Sequence, residues 1–298
     1  MCCKMNYENN EIKNFISIVV YVKNNENHIK DFMNKIDKFM KHNFQMYEFI
    51  IVNNFSTDNS IKYIKEIKEN INGKITIINL AWEHSKDACM MAGCDIAIGD
   101  FILEFENTFI DYDTNEILNI YNKSLEGYDI VAASPKDKTK FSEKLFYKLL
   151  KTGSKMNYEF VNESFRIISR RAINRIYKNN NFYSYRKVAY HYSGFNSYIY
   201  FYNPTKYEIY KDDTFISRFS NANNILLRYA NFYYMLPLIY ILIIIISIFI
   251  PCNKEFFLIT TGVLWIILLL CFLIKHINFI CKTYDNKSNY IYKSIERL

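Results

Sequence analysis

Four short apolar runs, separated by segments of helical periodicity, constrain the N-terminal third of the chain more than any other feature. Phe15–Val22 (FISIVVYV), Tyr47–Asn54 (YEFIIVNN), Lys74–Leu80 (KITIINL) and Asp100–Phe105 (DFILEF) read as strands. Uninterrupted apolar runs belong in a sheet covered on both faces, since a half-exposed strand would alternate. After the first run, Ile29, Phe32, Met33, Ile36, Phe39 and Met40 recur at helical spacing. Ser56 or Asp58 can cap a helix over SIKYIKEIKENI, and Lys86–Ala97 reads as a third helix whose small residues suit close packing. This alternation predicts an α/β fold with a mostly parallel sheet. Ligands in such sheets bind beyond the carboxyl ends of the strands, which selects Val22–Glu26, Asn53–Asp58 and Glu104–Asp113.

Two later runs set a different expectation. Asn231–Ile250 and Phe256–Ile274 carry no charged residue, and only PCNKE separates them. Each is long enough for about 30 Å of hydrocarbon at roughly 1.5 Å per residue, so they predict a transmembrane helical hairpin. Arg228 precedes the pair and Lys275, His276 and Lys282 follow it, so the positive-inside rule puts both termini in the cytoplasm. Tyr233 and Tyr234 suit an interfacial belt, and Pro237 falls in the first turns of its helix. The expected organisation is a polar tail (1–14), an α/β domain (15–220), an interfacial segment with two membrane helices (221–276; 231–250 and 256–274), and a cytosolic C-terminal tail (277–298).

The formal charge of +7 is scattered, without an Arg-rich stripe. That argues against a nucleic-acid partner and for an anionic membrane surface or an anionic substrate. The seven cysteines include the adjacent Cys2 and Cys3, the pair Cys89 and Cys94, and three in or near the apolar region, and none has metal-ligand spacing.

Several stretches carry a resemblance: SIVVYVKNNENHI, FIIVNNFSTDNS, KDACMMAGCDIAIGDFILEFE, ESFRIISRRAINRI, YSGF, FISRFS, the apolar hairpin and ICKTYDNKSNYIYKS. In that order they resemble the inverting family 2 glycosyltransferases of the GT-A fold, especially the branch of dolichyl-phosphate mannose synthase and the bacterial polyprenyl-phosphate glycosyltransferases. The resemblance implies transfer of a sugar from a UDP- or GDP-linked donor to a polyprenyl phosphate at the cytosolic membrane face. It also implies a Mg²⁺ or Mn²⁺ ion that neutralises the diphosphate leaving group, contact with membrane lipids, and a homo-oligomer as a plausible assembly.

Carried over residue by residue, the resemblance assigns nucleotide binding to Val22, Asn24, Glu26, Asn54, Ser56, Lys86 and Asn107. The family's metal-binding Asp-x-Asp falls on Glu106, Asn107 and Thr108, so Glu106 and Thr108 are the metal candidates, with Asp111 or Asp113 as substitutes if the loop bends. Its Asp before the FR pair falls on Ser164, which joins Glu106 and Arg166 as a catalytic candidate. Arg166 admits two readings, a phosphate ligand or a structural salt bridge. Lys187 and Lys206 match positions assigned to the acceptor phosphate, and both also read as ordinary surface charges. Glu104, on the alternate strand face, is expected to be structural or to pair with a Lys.

Acids expected at Asn53, Asn54, Thr108 and Ser164 are replaced. An acceptor phosphate is already an anion and needs no strong base, so an active transferase remains the leading expectation. The alternative is a catalytically impaired relative that acts as a membrane-bound binding or assembly partner. An acid from Asp111, Asp113 or Glu83 beside Glu106 would favour the enzyme, and Glu106 alone or plugged by Trp82 the alternative.

Overall fold

The structure, a computed structural model, describes residues 12–136, 141–154, 160–178, 185–205 and 290–298, with separate helical positions between 221 and 280. The chain divides into two compact units, residues 1–140, 161–210 and 289–298 forming one, and 141–160 and 211–288 the other.

The first unit is an eight-stranded sheet with helices on its faces. Its strands are β1 (Ile16–Val22), β2 (Tyr47–Asn53), β3 (Lys74–Leu80), β4 (Phe101–Phe105), β5 (Ile130–Pro135), β6 (Phe165–Ser169), β7 (Ser197–Tyr202) and β8 (Tyr292–Arg297). Their order is β7-β5-β6-β4-β1-β2-β3-β8. The four strands expected from the apolar runs are parallel neighbours, with β1 between β2 and β4 and β3 beyond β2. Every residue of β1 is buried, as its continuous apolar character requires.

Helices α1 (Ile29–Asn43), α2 (Ser60–Ile67) and α4 (Asn115–Leu125) bury apolar stripes in one core layer, where Phe32 lies edge-on to Phe105 at 5.1 Å. On the other face α3 (Lys86–Ile96), α6 (Arg170–Lys178) and α7 (Arg186–Tyr192) enclose Cys89, Met90, Ile173 and Ala189. The small residues of α3 serve the expected close packing: a Cβ on Gly93 would lie 2.3 Å from Val19 Cγ1. Cys89 and Cys94 are free, buried thiols.

Strand directions gather the chemistry on one edge. β6 runs antiparallel to β4 with Phe165 opposite Phe105, so the start of β6 meets the end of β4. β5 and β7 likewise end on that edge, with Pro135 opposite Tyr202.

Two expected boundaries change. Residues 290–298 are no tail, because β8 pairs antiparallel with β3 and closes that side of the sheet. Ile12, placed in the N-terminal tail, is tied to the α1–β2 turn through the Asn43 carbonyl and the Gln45 N–H.

The second unit contains α5 (Phe141–Ser154), where Tyr147 stacks on Phe160. Among the described residues no helix is long and apolar enough to cross a membrane. The run 231–250 lies outside the described residues, and the described positions within 256–274 are helical.

Candidate active site

β1 and β2 end side by side, and the loops beyond them are laced together by amides. Asn54 donates to Tyr21 Oη at 3.1 Å and to the His84 carbonyl at 2.9 Å, and its Oδ1 accepts the His84 N–H at 2.8 Å. Asn53 donates to Asn79 Oδ1 at 2.8 Å and accepts the Ser56 N–H at 3.0 Å. Asn79 continues the chain to Ser294 and Glu296 on β8. Asn24, at φ 53°, accepts the Thr57 N–H and gives its backbone N–H to Ser56 Oγ.

These partners give the residues expected at the nucleotide structural work in this fold. Asn54 is 1% exposed with its amide satisfied, so it clamps the exits of β2 and β3. Glu26 accepts the backbone and side-chain N–H groups of Asn59 and thereby holds the entry to α2. Asp58 accepts the Glu26 and Ser60 N–H groups, fixing the same turn. Val22 is wholly buried, and its carbonyl accepts the Asn54 N–H. Lys86, the first residue of α3, lies over the Tyr21 ring at 5.1 Å.

At the exit of β4 and the start of β6 the polar groups are ions. Arg186 donates to Glu106 Oε1 at 2.7 Å and to Asp87 Oδ1 at 3.3 Å, and pairs with Glu104 Oε1 at 2.7 Å. Arg166 reaches Glu163 Oε2 at 2.6 Å, Glu106 Oε1 at 3.2 Å and Glu104 Oε2 at 3.5 Å. Tyr190 donates to Glu104, and Cys94 Sγ lies 3.0 Å from the same carboxylate. Lys187 pairs with Glu163 at 3.2 Å and donates to the Val161 carbonyl. Arg166, Arg186 and Glu104 are almost wholly buried, whereas the Glu106 side chain is 28% exposed.

The electrostatics follow from burial among opposite charges. Burial opposes ionisation of Arg166 and Arg186, yet the surrounding carboxylates, Glu163 for the first and Glu104 for the second, hold both well above the ordinary arginine range. Burial pushes the Glu106 carboxyl up, but Arg186, Arg166, Lys187 and Lys86 outweigh it and hold it at about 2. Burial and then Glu104 keep the Cys94 thiol protonated.

The expected catalytic and metal residues are thus brought together in part. Glu106 and Arg166 touch directly, and Arg166 takes its salt-bridge reading. Ser164 stands apart from them: its Oγ meets Tyr202 Oη at 2.6 Å, and Tyr202 donates on to Asp111 at 2.8 Å. Asn107 accepts the Phe109 N–H and turns the loop, so its amide oxygen serves the backbone. Lys187, expected at the acceptor phosphate, is 7% exposed and faces protein acceptors. Lys206 lies outside the described residues.

The donor set does not fit a divalent cation. Glu106 supplies one carboxylate, already taken by two guanidinium groups, and the Thr108 hydroxyl is neutral, buried and without a hydrogen-bond partner. Oxygen-ligand sites for Mg²⁺ or Mn²⁺ need several acidic or carbonyl oxygens free of competing cations. The possible substitutes are engaged elsewhere: Asp111 with Tyr202, Asp113 with the Asn115 N–H, and Glu83 with Lys23. Among the described residues no group of three or more His, Cys, Asp or Glu could hold a metal.

Arg186, Glu163, Asp87 and Tyr190 belong to this centre and were not among the expected site residues. Glu163 and Arg186 adjoin Ser164 and Lys187, so the expectation fell one residue away. Glu104 is structural as expected, but its cationic partners are arginines.

The Glycosyl transferase family 2 profile matches residues 17–195. An uncharacterized glycosyltransferase of Synechocystis sp. is 26% identical over 168 residues, 54% of this chain and 52% of its own length. The undecaprenyl-phosphate 4-deoxy-4-formamido-L-arabinose transferase of Proteus mirabilis is 29% identical over 118 residues, 40% of this chain and 36% of its own. The chain therefore spans about half or less of these curated relatives. Mannosyl-3-phosphoglycerate synthase from Rubrobacter xylanophilus superposes with a TM-score of 0.52 at 13% identity, covering 72% of both chains. Glucosyl-3-phosphoglycerate synthase from Mycobacterium tuberculosis, in complex with Mn²⁺, UDP-glucose and phosphoglyceric acid, gives 0.51 at 10% identity, covering 72% of this chain and 78% of that one. At these identities the likeness speaks for the fold, and it bears out the expected GT-A type.

Proposed function

Because the chain belongs to glycosyl transferase family 2, whose profile runs from β1 through α7, we propose that it is a membrane-anchored transferase moving a sugar from a UDP- or GDP-linked donor to a polyprenyl phosphate at the cytosolic membrane face. The observation that carries this reading is the family match over residues 17–195, which takes in the exits of β1 to β5 and the start of β6. The acceptor class draws support from the Proteus mirabilis relative, whose name specifies undecaprenyl phosphate. In the reaction a phosphate oxygen attacks the anomeric carbon and the nucleoside diphosphate leaves with inversion. No group on the protein has to deprotonate the nucleophile, so Ser164 in place of an acid is compatible with turnover.

Two features support the membrane part. The chain leaves the sheet after β7 and returns to it as β8, so any crossings between residues 206 and 289 are even in number, as a hairpin requires. Ile259, Val263, Ile266, Leu270 and Leu273, at helical spacing in the second apolar run, are each about half exposed or more.

The test is incubation of the full-length chain, in vesicles containing undecaprenyl phosphate, with a panel of UDP- and GDP-sugars, read by mass spectrometry of the lipid. The expected product is a sugar-phospho-polyprenol from one donor class. A folded chain that binds no donor and forms no product would instead favour the assembly-partner reading.

A further inference from the structure

Three carboxylates from separate places in the chain converge on one cation. Asp87 comes from the first turn of α3, Glu104 from within β4 and Glu106 from just beyond it. Their oxygens lie 3.3, 2.7 and 2.7 Å from Nε, Nη1 and Nη2 of Arg186. Tyr190 Oη completes the set at 3.2 Å from Nη1. These oxygens surround the guanidinium as a cage, with one carboxylate on each of its nitrogens, so the chain's own cation matches their charge. The Arg186 backbone N–H is fixed as well, donating to Asp87 Oδ1 at 3.0 Å. Arg166 adds a second buried positive charge on Glu106.

We propose that Arg186 occupies the cation position of this site, so that the chain binds its nucleotide donor without a divalent metal. The inference rests on the donor reading above for its ligand, whereas the exclusion of metal from the cage stands on the cage itself. Arg186 acts as a positioning residue: it joins α7 to α3 and β4 and takes up the carboxylate charge that would otherwise attract an ion.

The experiment uses the full-length chain with Mn²⁺, UDP and GDP as probes. Electron paramagnetic resonance of free Mn²⁺ counts metal bound, with and without nucleotide, and calorimetry measures nucleotide affinity in EDTA and in Mn²⁺. Expected are no bound Mn²⁺ in either condition and a nucleotide affinity that changes less than about threefold between EDTA and Mn²⁺. Stoichiometric Mn²⁺ binding lost in Glu106→Gln, or nucleotide binding abolished by EDTA, would overturn the proposal. If neither nucleotide binds a folded chain, the donor reading fails, and the Mn²⁺ titration still decides the cage.

Discussion

Beyond β1, β2 and β3 neutral amides tie the loops to one another, whereas at the exit of β4 and the start of β6 the buried polar side chains are ions. Both halves find their partners within the protein, but by different means. An amide donates and accepts at once, so Asn54, Asn53 and Asn79 can run hydrogen bonds across two loops and three strands, as far as β8, with a chain of amides. A carboxylate at position 54 would only accept, and would turn an oxygen toward the His84 carbonyl. The ionic half must instead pair opposite charges in a buried place, with four carboxylates (Asp87, Glu104, Glu106, Glu163) around three cations (Arg166, Arg186, Lys187). It should therefore be the half that fails when one partner is removed or when pH changes.

The largest effect is expected from Arg166→Ala. Removing one member of a buried ionic cluster leaves the others uncompensated, which costs about 3–5 kcal/mol. Glu163, 2.6 Å from Arg166 and itself buried, is the group most exposed to that loss. Denaturant unfolding of the full-length chain measures it. A loss comparable to that of an ordinary surface substitution would mean that the contrast between the two halves is one of appearance only.

The pH response separates the halves next. The folded-state Glu106 pKa, about 2, lies below its ordinary 4.5. The stabilisation it brings is thus fully present above about pH 4.5 and is lost as pH falls toward 2. Glu106→Gln should flatten the decline of unfolding free energy over that window, while Asn54→Ala should leave its slope unchanged. Equal slopes in wild type and Glu106→Gln would show that Arg166 and Arg186 do not lower this carboxyl.

The difference between the halves also explains what was legible in the sequence. β1 to β4 could be read because their runs are continuously apolar and their helices keep a 3.6-residue period. β6 was masked as a strand by Arg166, whose charge is matched only by residues far off in sequence or around a turn. β8 mixes charged, polar and apolar residues without a period at a sheet edge, a pattern that a polar tail also shows. The site was half legible: Glu106 and Arg166 stand at recognisable positions, but Asp87 and Arg186 meet from 99 residues apart, and nothing local announces such a pair. Asn53 and Asn54 looked like lost acids, and only the partners across β3 reveal them as clamps.

On the amide half, Asn54→Ala removes the acceptor of the His84 N–H and the donor to Tyr21 and to the His84 carbonyl. Leaving those groups unpaired costs about 1–3 kcal/mol. Asn54→Asp is expected to lose stability too, although it restores the acid seen in the family pattern, because it cannot donate to the His84 carbonyl. A chain made more stable by Asn54→Asp would return that position to the nucleotide.

The smallest effect belongs to an exposed ion pair that bridges the amide half. Lys23, just past β1, meets Glu83, just past β3, at 2.6 Å, with their side chains 34% and 62% exposed. Water screens such a pair and its flexible side chains lose entropy in forming it, so Lys23→Ala should cost less than about 1 kcal/mol. The loss should shrink further as salt is raised, because both charges sit within reach of mobile ions. The same salt series on Arg166→Ala should change little, since its partners are shielded from solvent. If the two variants respond alike to salt, the charged half is wetter than its burial implies, and the distinction between an enclosed ionic cage and a surface ion pair disappears.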